Sequence, residues 1–344
     1  MNKLNLSNKK FKKYKQTKTM KNSKNRQTTL KKTFQRIGLI TLMMMATHNN
    51  FLHAQYEQSM GTQSSIYTYQ PEKFTPAIPL TTFLQGAFST ALVRHKDVTA
   101  TWAAVMNANA LTQPYNVAPF SYTGTESVSP GFFTSTAATT DIMDWVLVEI
   151  RNAVTPATLI TRKACFIRED GRIVALDGVS DPSFSTLATG NYHVVIRHRN
   201  HLAIRTATAI FWDASLCVPA PASRNFSTAQ TEAYQNPAIT TNAAQKNLTA
   251  SVFGMWGGNA NGMTTAGSPA VRASGPTPQN DYLYLIFTTL GGDVSNILSI
   301  VYHPADVNLD GQVRGSGPLV QNDYLFILTT ILGGNVSTII NQHQ

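Results

Sequence analysis

Short runs of alternating apolar and polar residues, separated by turn residues, occupy the chain between positions 79 and 212. The clearest run, 144–151, places two valines and an isoleucine on one side, which predicts a strand with that side in a core. Its other side shows Glu149 and Arg151, and charged side chains on alternate positions indicate a solvated face. The pattern predicts a β-sheet with one face in water.

A second predicted strand, 158–168, runs into an Asp-Gly pair, which is typical of a hairpin turn. Two further predicted strands, 190–198 and 202–211, are joined by a short polar turn. Because strands at this spacing have few helical patterns between them, they favour an antiparallel β-sandwich. The predicted sandwich domain spans 79–217.

The C-terminal part of the chain is a tandem repeat, in which residues 271–283 match 313–325 at an offset of 42. Each copy predicts a helix that is opened by Asn-Asp and closed by Gly-Gly. Helical spacing gives apolar stripes of Leu283, Ile286, Phe287 and Leu290 in the first copy and Leu325, Leu328 and Leu332 in the second. Such helices can cover each other, so 251–344 is predicted to be one small domain, with copies at 251–298 and 299–344.

Two stretches are too polar to build a core of their own. Residues 55–78 are predicted to be a flexible arm, and residues 218–250, which are rich in Pro, Thr, Asn, Gln and Ala, a linker or a loosely attached wrap. The predicted fold class is therefore mainly β with a small α C-terminal part.

Positive charge is concentrated at the N-terminus. Residues 1–54 hold 13 of the 28 Lys and Arg and no Asp or Glu, which leaves the rest of the chain with 15 positive and 18 negative charges. The formal charge of +10 therefore does not indicate a nucleic-acid partner for the body. A basic leader, an apolar run at 37–46 and a small residue at Ala54 predict a secretory signal peptide cleaved after Ala54.

Other interpretations of this leader stay open. The apolar run is shorter than the roughly 20 residues that span a bilayer, so a membrane anchor is disfavoured and the mature chain is expected to have no transmembrane segment. Translation starting at Met20 would shorten the long basic region. A basic nucleic-acid-binding arm would leave the apolar run without a purpose. Export predicts a secreted or cell-surface location.

The two cysteines, Cys165 and Cys217, both lie in the exported part of the chain. In an oxidising compartment they can form one disulfide, and two buried thiols fit the sequence equally well, because spacing says nothing about Cβ geometry.

The second repeat carries Asp306, Asn308 and Asp310 at alternate positions, followed by a glycine. Oxygen donors at loop positions 1, 3 and 5, with glycine at the bend, are how a loop wraps Ca²⁺. A complete loop also needs a late carboxylate, and the start of the following helix supplies one. The predicted Ca²⁺ ligands are Asp306, Asn308, Asp310, Gln312 through its backbone carbonyl, and Asp323. The alternative is a solvated Asp/Asn turn.

The first repeat has amides where carboxylates are expected. Asn259 and Asn261 occupy this loop, Asp281 keeps the late carboxylate, and extra residues precede the matched segment. Because amides attract a divalent cation much less than carboxylates do, this degenerate metal loop is expected to be weak or empty.

A basic hairpin turn offers a further candidate site, formed by Arg197, His198, Arg199 and His201. Imidazoles on a strand and a turn need not converge on a metal, and no zinc-helix motif accompanies them. The turn is either a polar hairpin end or a candidate ligand surface on which arginines hold the carboxylates of an acidic glycan or surface polymer. The sequence contains no Gly-x-Ser-x-Gly elbow, phosphate loop or zinc helix.

The duplicated Asp-Val-Asn-Leu-Asp-Gly loop and helix resembles the dockerin-type calcium module of secreted bacterial proteins. Residues 144–151, 170–178 and 195–202, together with the repeats, are similar to exported Bacteroidetes surface proteins of the hemagglutinin-like group. The resemblance covers roughly 80–344 and implies secretion, a β-rich domain and calcium-stabilised repeats. The chain departs from the dockerin pattern in its longer repeat, its first loop and a hydroxyl pair reduced to Ser274 and Ser316.

These patterns favour an exported, non-catalytic cell-surface or adhesion protein that binds a protein or glycan partner. One alternative is a secreted hydrolase that carries an accessory repeat module, since dispersed Ser, His and Asp residues can form a triad that no motif reveals. The other is an assembly component that docks a protein partner through the repeats.

Overall fold

The computed structural model describes residues 77–214, 223–262, 269–276 and 279–344. All of them belong to one compact unit, 72–344. The predicted leader, nearly all of the predicted arm and Cys217 lie outside the described residues, so the disulfide stays a prediction. Cys165 itself is buried.

The described chain is mainly β with short helices, which confirms the coarse fold prediction. Its first half contains β1 (Leu80–Thr81), β2 (Phe88–Ser89), β3 (Arg94–His95), α1 (Ala100–Asn109), β4 (Ile142–Asn152), β5 (Leu159–Arg168), β6 (Arg172–Val174), β7 (Gly190–His198), β8 (His201–Arg205), β9 (Ile210–Trp212), β10 (Arg224–Asn225), β11 (Lys246–Asn247) and β12 (Phe253–Gly254). Short 3-10 turns occur at Gln85–Ala87 and Gln230–Glu232. No helix among the described residues is long and apolar enough to cross a membrane.

An eight-stranded mixed sheet forms the body, in the order β10-β1-β6-β5-β4-β7-β8, with β9 also paired to β7. Every pair is antiparallel except β1 with β10. The predicted Asp-Gly hairpin joins β5 to β6, and the predicted polar turn joins β7 to β8, where His198 pairs with His201. The strands predicted between 144 and 211 pair within this one sheet, and a two-sheet sandwich stays a prediction.

The prediction of a solvated face on β4 is wrong, because all nine residues from Ile142 to Ile150 are buried. Trp102 of α1 donates its indole N–H to the Met143 carbonyl at 2.6 Å, and Tyr115 donates to the Trp145 carbonyl at 2.8 Å. On β4 itself, Glu149 is buried between Arg151 at 2.6 Å and Arg197 at 3.0 Å. Burial raises the pKa of Glu149, and the two guanidinium groups outweigh it and leave the pKa lowered.

Part of the predicted linker is integrated into the body. Among its described residues, β10 extends the sheet edge by pairing with β1, and Phe226 is fully buried in the core. A polar segment can attach in this way because backbone pairing needs no apolar side chains. Residues 223–250 therefore do not form a free linker.

The repeats pair with each other by exchanging strands. They contain β13 (Ala270–Arg272), α2 (Asp281–Leu283), β14 (Ile297–Ser299), β15 (Gln312–Arg314), a 3-10 turn (Leu319–Gln321), α3 (Asp323–Leu325) and β16 (Ile339–Asn341). A π-helical segment continues each helix, at Tyr284–Thr289 and Phe326–Ile331. Strand β13 of the first copy pairs with β16 of the second, and β14 pairs with β15. Tyr282 and Tyr324 stack 3.6 Å apart between the copies.

The predicted helix starts are confirmed, and the predicted apolar stripes are partly wrong. Asn280 and Asn322 cap the helices by accepting backbone N–H bonds at 3.0 and 2.9 Å. The buried residues are Leu285, Ile286 and Leu290 in the first copy and Ile327, Ile331 and Leu332 in the second. Phe287 is 60% exposed. The π-helical segments explain this, because bonds from i to i+5 widen the turn and rotate side chains away from α-helical spacing.

Candidate functional site

Asp306, Asn308 and Asp310 converge in the second repeat, as the sequence predicted. The two carboxylate oxygens of Asp306 accept the N–H groups of Asp310 and Gly311, each at 3.0 Å. Asn308 Oδ1 also accepts the Asp310 N–H at 3.0 Å. Gly311 has φ +85°, the left-handed conformation that favours glycine at the bend. The side-chain oxygens of Asp306 and Asn308 therefore accept the backbone N–H groups that close this turn.

Asp323, the first residue of α3, returns to the same loop. Its carboxylate accepts the N–H groups of Val307 at 2.9 Å and Arg314 at 3.0 Å, and the side chain is fully buried. Gln312 begins β15 and donates its N–H to Asp310 Oδ1 at 3.0 Å. The structure thus brings the side chains of Asp306, Asn308, Asp310 and Asp323 to one loop, and the Gln312 carbonyl stays a predicted ligand.

The carboxylates of Asp306, Asp310 and Asp323 are close enough to repel one another. Burial raises the pKa values of Asp306, Asp310 and Asp323, and for Asp306 and Asp323 the neighbouring carboxylates raise them further. Within the described residues, no three His, Cys, Asp or Glu side chains are arranged as a metal-ligand group. The oxygens point instead at backbone N–H groups, so an ion would have to replace some of those hydrogen bonds.

The first repeat keeps the frame of this loop without its charge. Asp281 accepts the N–H groups of Asn261 at 3.3 Å and Arg272 at 3.0 Å. In the second repeat, Asp323 accepts those of Asn308 and Arg314 in the same way. Asn259 is buried there as well. Burial raises the pKa of Asp281 to about 7. This loop therefore has one carboxylate where the second has three, and its residues 263–268 lie outside the described part of the chain.

The basic hairpin turn is buried, so it does not form an exposed ligand surface. His198, Arg199 and His201 are each at most 3% exposed, and the partly accessible Arg197 donates to Gln344 Oε1 at 3.0 Å. Strand pairing places this turn at the end of the sheet, where the repeats pack over it. The turn is a junction inside the compact unit.

Asp144 on β4 is the centre of that junction. Its carboxylate lies 3.0 Å from His198 Nε2 and 3.2 Å from the Arg199 guanidinium, and it accepts the Tyr302 hydroxyl at 2.6 Å. Arg199 also lies over the Tyr302 ring at 4.3 Å. Burial raises the pKa of Asp144, and Arg199 and His198 more than offset this, so the pKa is lowered. The carboxylate is therefore the charged counterpart of a buried guanidinium.

The two histidines of the turn form a directed chain of hydrogen bonds. The Gly86 N–H donates to His201 Nε2 at 3.1 Å, so that nitrogen is an acceptor and Nδ1 carries the proton. His201 Nδ1 lies 2.8 Å from Asn200 Oδ1 and 3.0 Å from His198 Nδ1, so its one proton has two acceptors, and the opposite nitrogen of His198 faces Asp144. Both imidazoles are then neutral, and burial lowers both of their pKa values. His198 therefore directs its Nε2 proton at Asp144 and uses Nδ1 as an acceptor inside the buried junction.

The junction holds the 306–312 loop through its backbone. Asn200 Nδ2 donates to the carbonyls of Asp306 at 2.7 Å and Pro304 at 3.0 Å, and Arg199 donates to the His303 carbonyl. Lys96, which follows β3, donates from Nζ to the Asn308 carbonyl at 2.7 Å. Sequence reasoning missed Lys96, Asn200, Asp144 and Tyr302, because no local motif marks residues that meet only through the tertiary fold.

We expect acid to weaken the fold through buried neutral histidines such as His95. Its Nε2 accepts the Leu84 N–H at 2.7 Å, and burial lowers its pKa from 6.5 to about 4. The unfolded chain binds a proton there below pH 6.5 and the folded chain does not. Stability from this group is therefore complete above pH 6.5 and falls by about 1.4 kcal/mol per pH unit towards pH 4.

Urea unfolding of the wild type and of His95→Gln tests this at pH 7, 6 and 5. Glutamine can keep one donor and one acceptor but does not titrate. We expect the wild type to lose about 2 kcal/mol relative to the variant between pH 7 and pH 5. A difference between the two that stays constant with pH contradicts the assignment.

No family model, curated protein or solved structure matches the chain. The dockerin-type and hemagglutinin-like resemblance therefore rests on the sequence motifs described above.

Proposed function

We propose that the protein is an exported, non-catalytic cell-surface or adhesion protein whose C-terminal dockerin-like repeats hold one Ca²⁺. The observation that supports this most is that the buried Asp306 and Asp323 and the half-buried Asp310 all bond the backbone of one loop. Two buried carboxylates beside a third that is half-buried are costly when ionised, and a cation would offset that cost. In this proposal the sheet body is a sandwich-type binding domain and 251–344 is the calcium module.

Calcium suits the donors better than other common ions do. Asp306, Asn308, Asp310 and Asp323 offer oxygens only, and hard oxygen ligands favour Ca²⁺ over zinc or copper, which prefer nitrogen and sulfur. Because position 308 has an amide in place of a carboxylate, the loop carries less negative charge and still offers the amide oxygen as a ligand. In the first repeat, Asn259, Asn261 and Asp281 supply a single carboxylate, so we propose one bound ion for each chain.

The ion would stabilise the sheet body as well as the repeats. Asn200 and Lys96 come from the body, and both bond backbone carbonyls of this loop. The proposed partner, a protein or a glycan at the cell surface, would bind the sheet body, and the ion would have a structural role. The basic leader and apolar run support export, and the burial of Asp144 and His198 away from solvent supports a non-catalytic body.

Thermal melting with Ca²⁺ and with EDTA tests this function. We expect Ca²⁺ to raise the melting temperature of a single transition, because the loop is bonded to the body. At a hundred times the dissociation constant, the gain in unfolding free energy is about 2.7 kcal/mol. Asp306→Asn should lose most of this response.

The matched control is Asp293→Asn, which changes an exposed carboxylate of the first repeat whose side chain bonds only within its own turn, at Ser295. It should respond to Ca²⁺ as the wild type does. Identical melting in Ca²⁺ and EDTA for the wild type would rule out a structural ion.

A further inference from the structure

Strand β14 of the first copy has one paired edge and one open edge. Its partner β15 contains Gln312 and Arg314, whose N–H groups donate to carboxylates outside the strand pair. Residues opposite each other in an antiparallel pair exchange either both backbone bonds or neither. Ser299 and Ile297, which lie opposite these two residues, therefore direct their N–H and C=O groups to the outer edge of β14. Among the described residues, none of these outer groups has a hydrogen-bond partner.

The equivalent edge in the second copy is covered by the body. Strand β16 corresponds to β14 at the offset of 42, and its Asn341 corresponds to Ser299. The Asn341 N–H donates to Asn242 Oδ1, and the Asn341 carbonyl accepts a bond from Asn242 Nδ2, each at 2.9 Å. The side-chain amide of Asn242 thus pairs with the strand as a neighbouring peptide group would. The same edge is satisfied in one copy and open in the other.

The open edge is accessible and carries no charge. Ile297 is 45% exposed, and Ile300, directly after the strand, is 59% exposed. Natural edge strands are commonly protected from other strands by charged side chains or proline. The segment 294–301 contains no Asp, Glu, Lys, Arg or Pro. Its outer edge is therefore open to pairing with another strand.

We infer that β14 is the surface through which two copies of this chain associate, by antiparallel pairing of the two β14 strands about a two-fold axis at Leu298. In this register Ile297 of each copy lies opposite Ser299 of the other. Both pairs then exchange both of their backbone bonds, because all of these groups point outward. The two copies form a continuous sheet in the order β15-β14-β14-β15.

A second copy suits this edge for two reasons. The outer N–H and C=O groups are arranged symmetrically about Leu298, so the strand is complementary to itself. Neither strand brings a charge that repels its copy, and the exposed Ile297 side chains gain cover from water. Because the strand is short, the contact is smaller than a standard stable interface, and we expect a dissociation constant of about 100 μM.

Sedimentation of the full chain over a range of concentrations tests the inference, with Ser299→Pro as the disrupting variant. Proline removes the outer N–H of residue 299 and is tolerated at an edge position whose N–H faces solvent. The matched control, Ser299→Ala, removes the same hydroxyl and keeps the N–H. We expect the wild type and Ser299→Ala to dimerise equally and Ser299→Pro to dimerise about thirtyfold more weakly, because half of the backbone bonds between the copies are lost.

Cysteine cross-linking tests the register independently. The two Leu298 residues face each other across the axis as a pair without backbone bonds, in which Cα atoms are about 4.5 Å apart, within the range of a disulfide. Mild oxidation of Leu298→Cys should therefore give a dimer on a non-reducing gel. The control is Ile300→Cys, which is more exposed but lies away from its own copy in this register, so it should cross-link no more than the wild type does.

A wild type that sediments as a single chain at several times the expected dissociation constant overturns the inference. Dimerisation of a folded Ser299→Pro protein at wild-type strength also overturns it, because the contact then lies elsewhere. Circular dichroism shows whether this variant is folded. If it is not, the cross-links decide: a Leu298→Cys protein that gives no more dimer than Ile300→Cys rules out the proposed pairing.

Discussion

Replacing Asp144 with asparagine is expected to lower the free energy of unfolding by about 3–5 kcal/mol, the usual cost of removing one partner from a buried ion pair. The change keeps the shape of the side chain but leaves the Arg199 guanidinium buried without a counter-charge. It also removes the acceptor that fixes the His198 tautomer. Tyr302 can still donate to the amide oxygen, so the loss is mainly electrostatic.

Urea unfolding at pH 7 measures the effect, with Asp181→Asn as the control. Asp181 pairs with Arg172 at 2.8 Å on the surface, where the arginine side chain is 44% exposed, so its loss should cost under about 1 kcal/mol. Adding Arg199→Gln to Asp144→Asn should recover part of the stability, because the orphaned charge is then gone. Equal effects of the two single aspartate changes would show that Asp144 is not an electrostatic centre.

Gly86→Ala should cost about 3 kcal/mol, at the upper end of the range for overpacking. A Cβ atom at this position would lie 1.9 Å from the Val307 carbonyl oxygen. The clash is between the added methyl group and a backbone atom, so no side-chain rotation relieves it, and the body must move away from the 306–312 loop. We therefore expect both a lower melting temperature and weaker Ca²⁺ binding in the same variant.

The matched control is Gly131→Ala, where nothing lies within 4 Å of the added Cβ. Its φ of +85° costs an alanine about 1–2 kcal/mol, and calcium binding should not change. A Gly86→Ala protein with wild-type melting and wild-type calcium affinity would mean that the loop and the body do not touch as described.

The features that the sequence predicted are local in the chain. The Asp-Gly hairpin between β5 and β6, the Asn280 and Asn322 caps, and the turn at Gly311 each depend on residues a few positions apart. The carboxylates of the 306–312 loop are also close in sequence, and only Asp323 comes from beyond the turn. Local hydrogen bonding and backbone preference decide such features, so periodicity and motifs find them.

The features that the sequence did not predict depend on distant parts of the chain. Glu149 is buried because Arg197 meets it from the neighbouring strand, and alternation alone assigns such a glutamate to solvent. Asp144 and Tyr302, or Lys96 and Asn308, meet only after the repeats fold onto the sheet. The apolar stripes were misplaced for a different reason, because α-helical spacing does not describe a π-helical segment.

The exchange of strands between the two copies affects the order in which the chain can fold during synthesis. Strand β13 emerges from the ribosome long before β16, its partner, and until then it presents an unpaired edge. Pairing across such a separation closes a long loop, which slows folding. Neither copy can complete its strand pairing alone. The first copy therefore becomes stable only after β16 of the second copy has been synthesised.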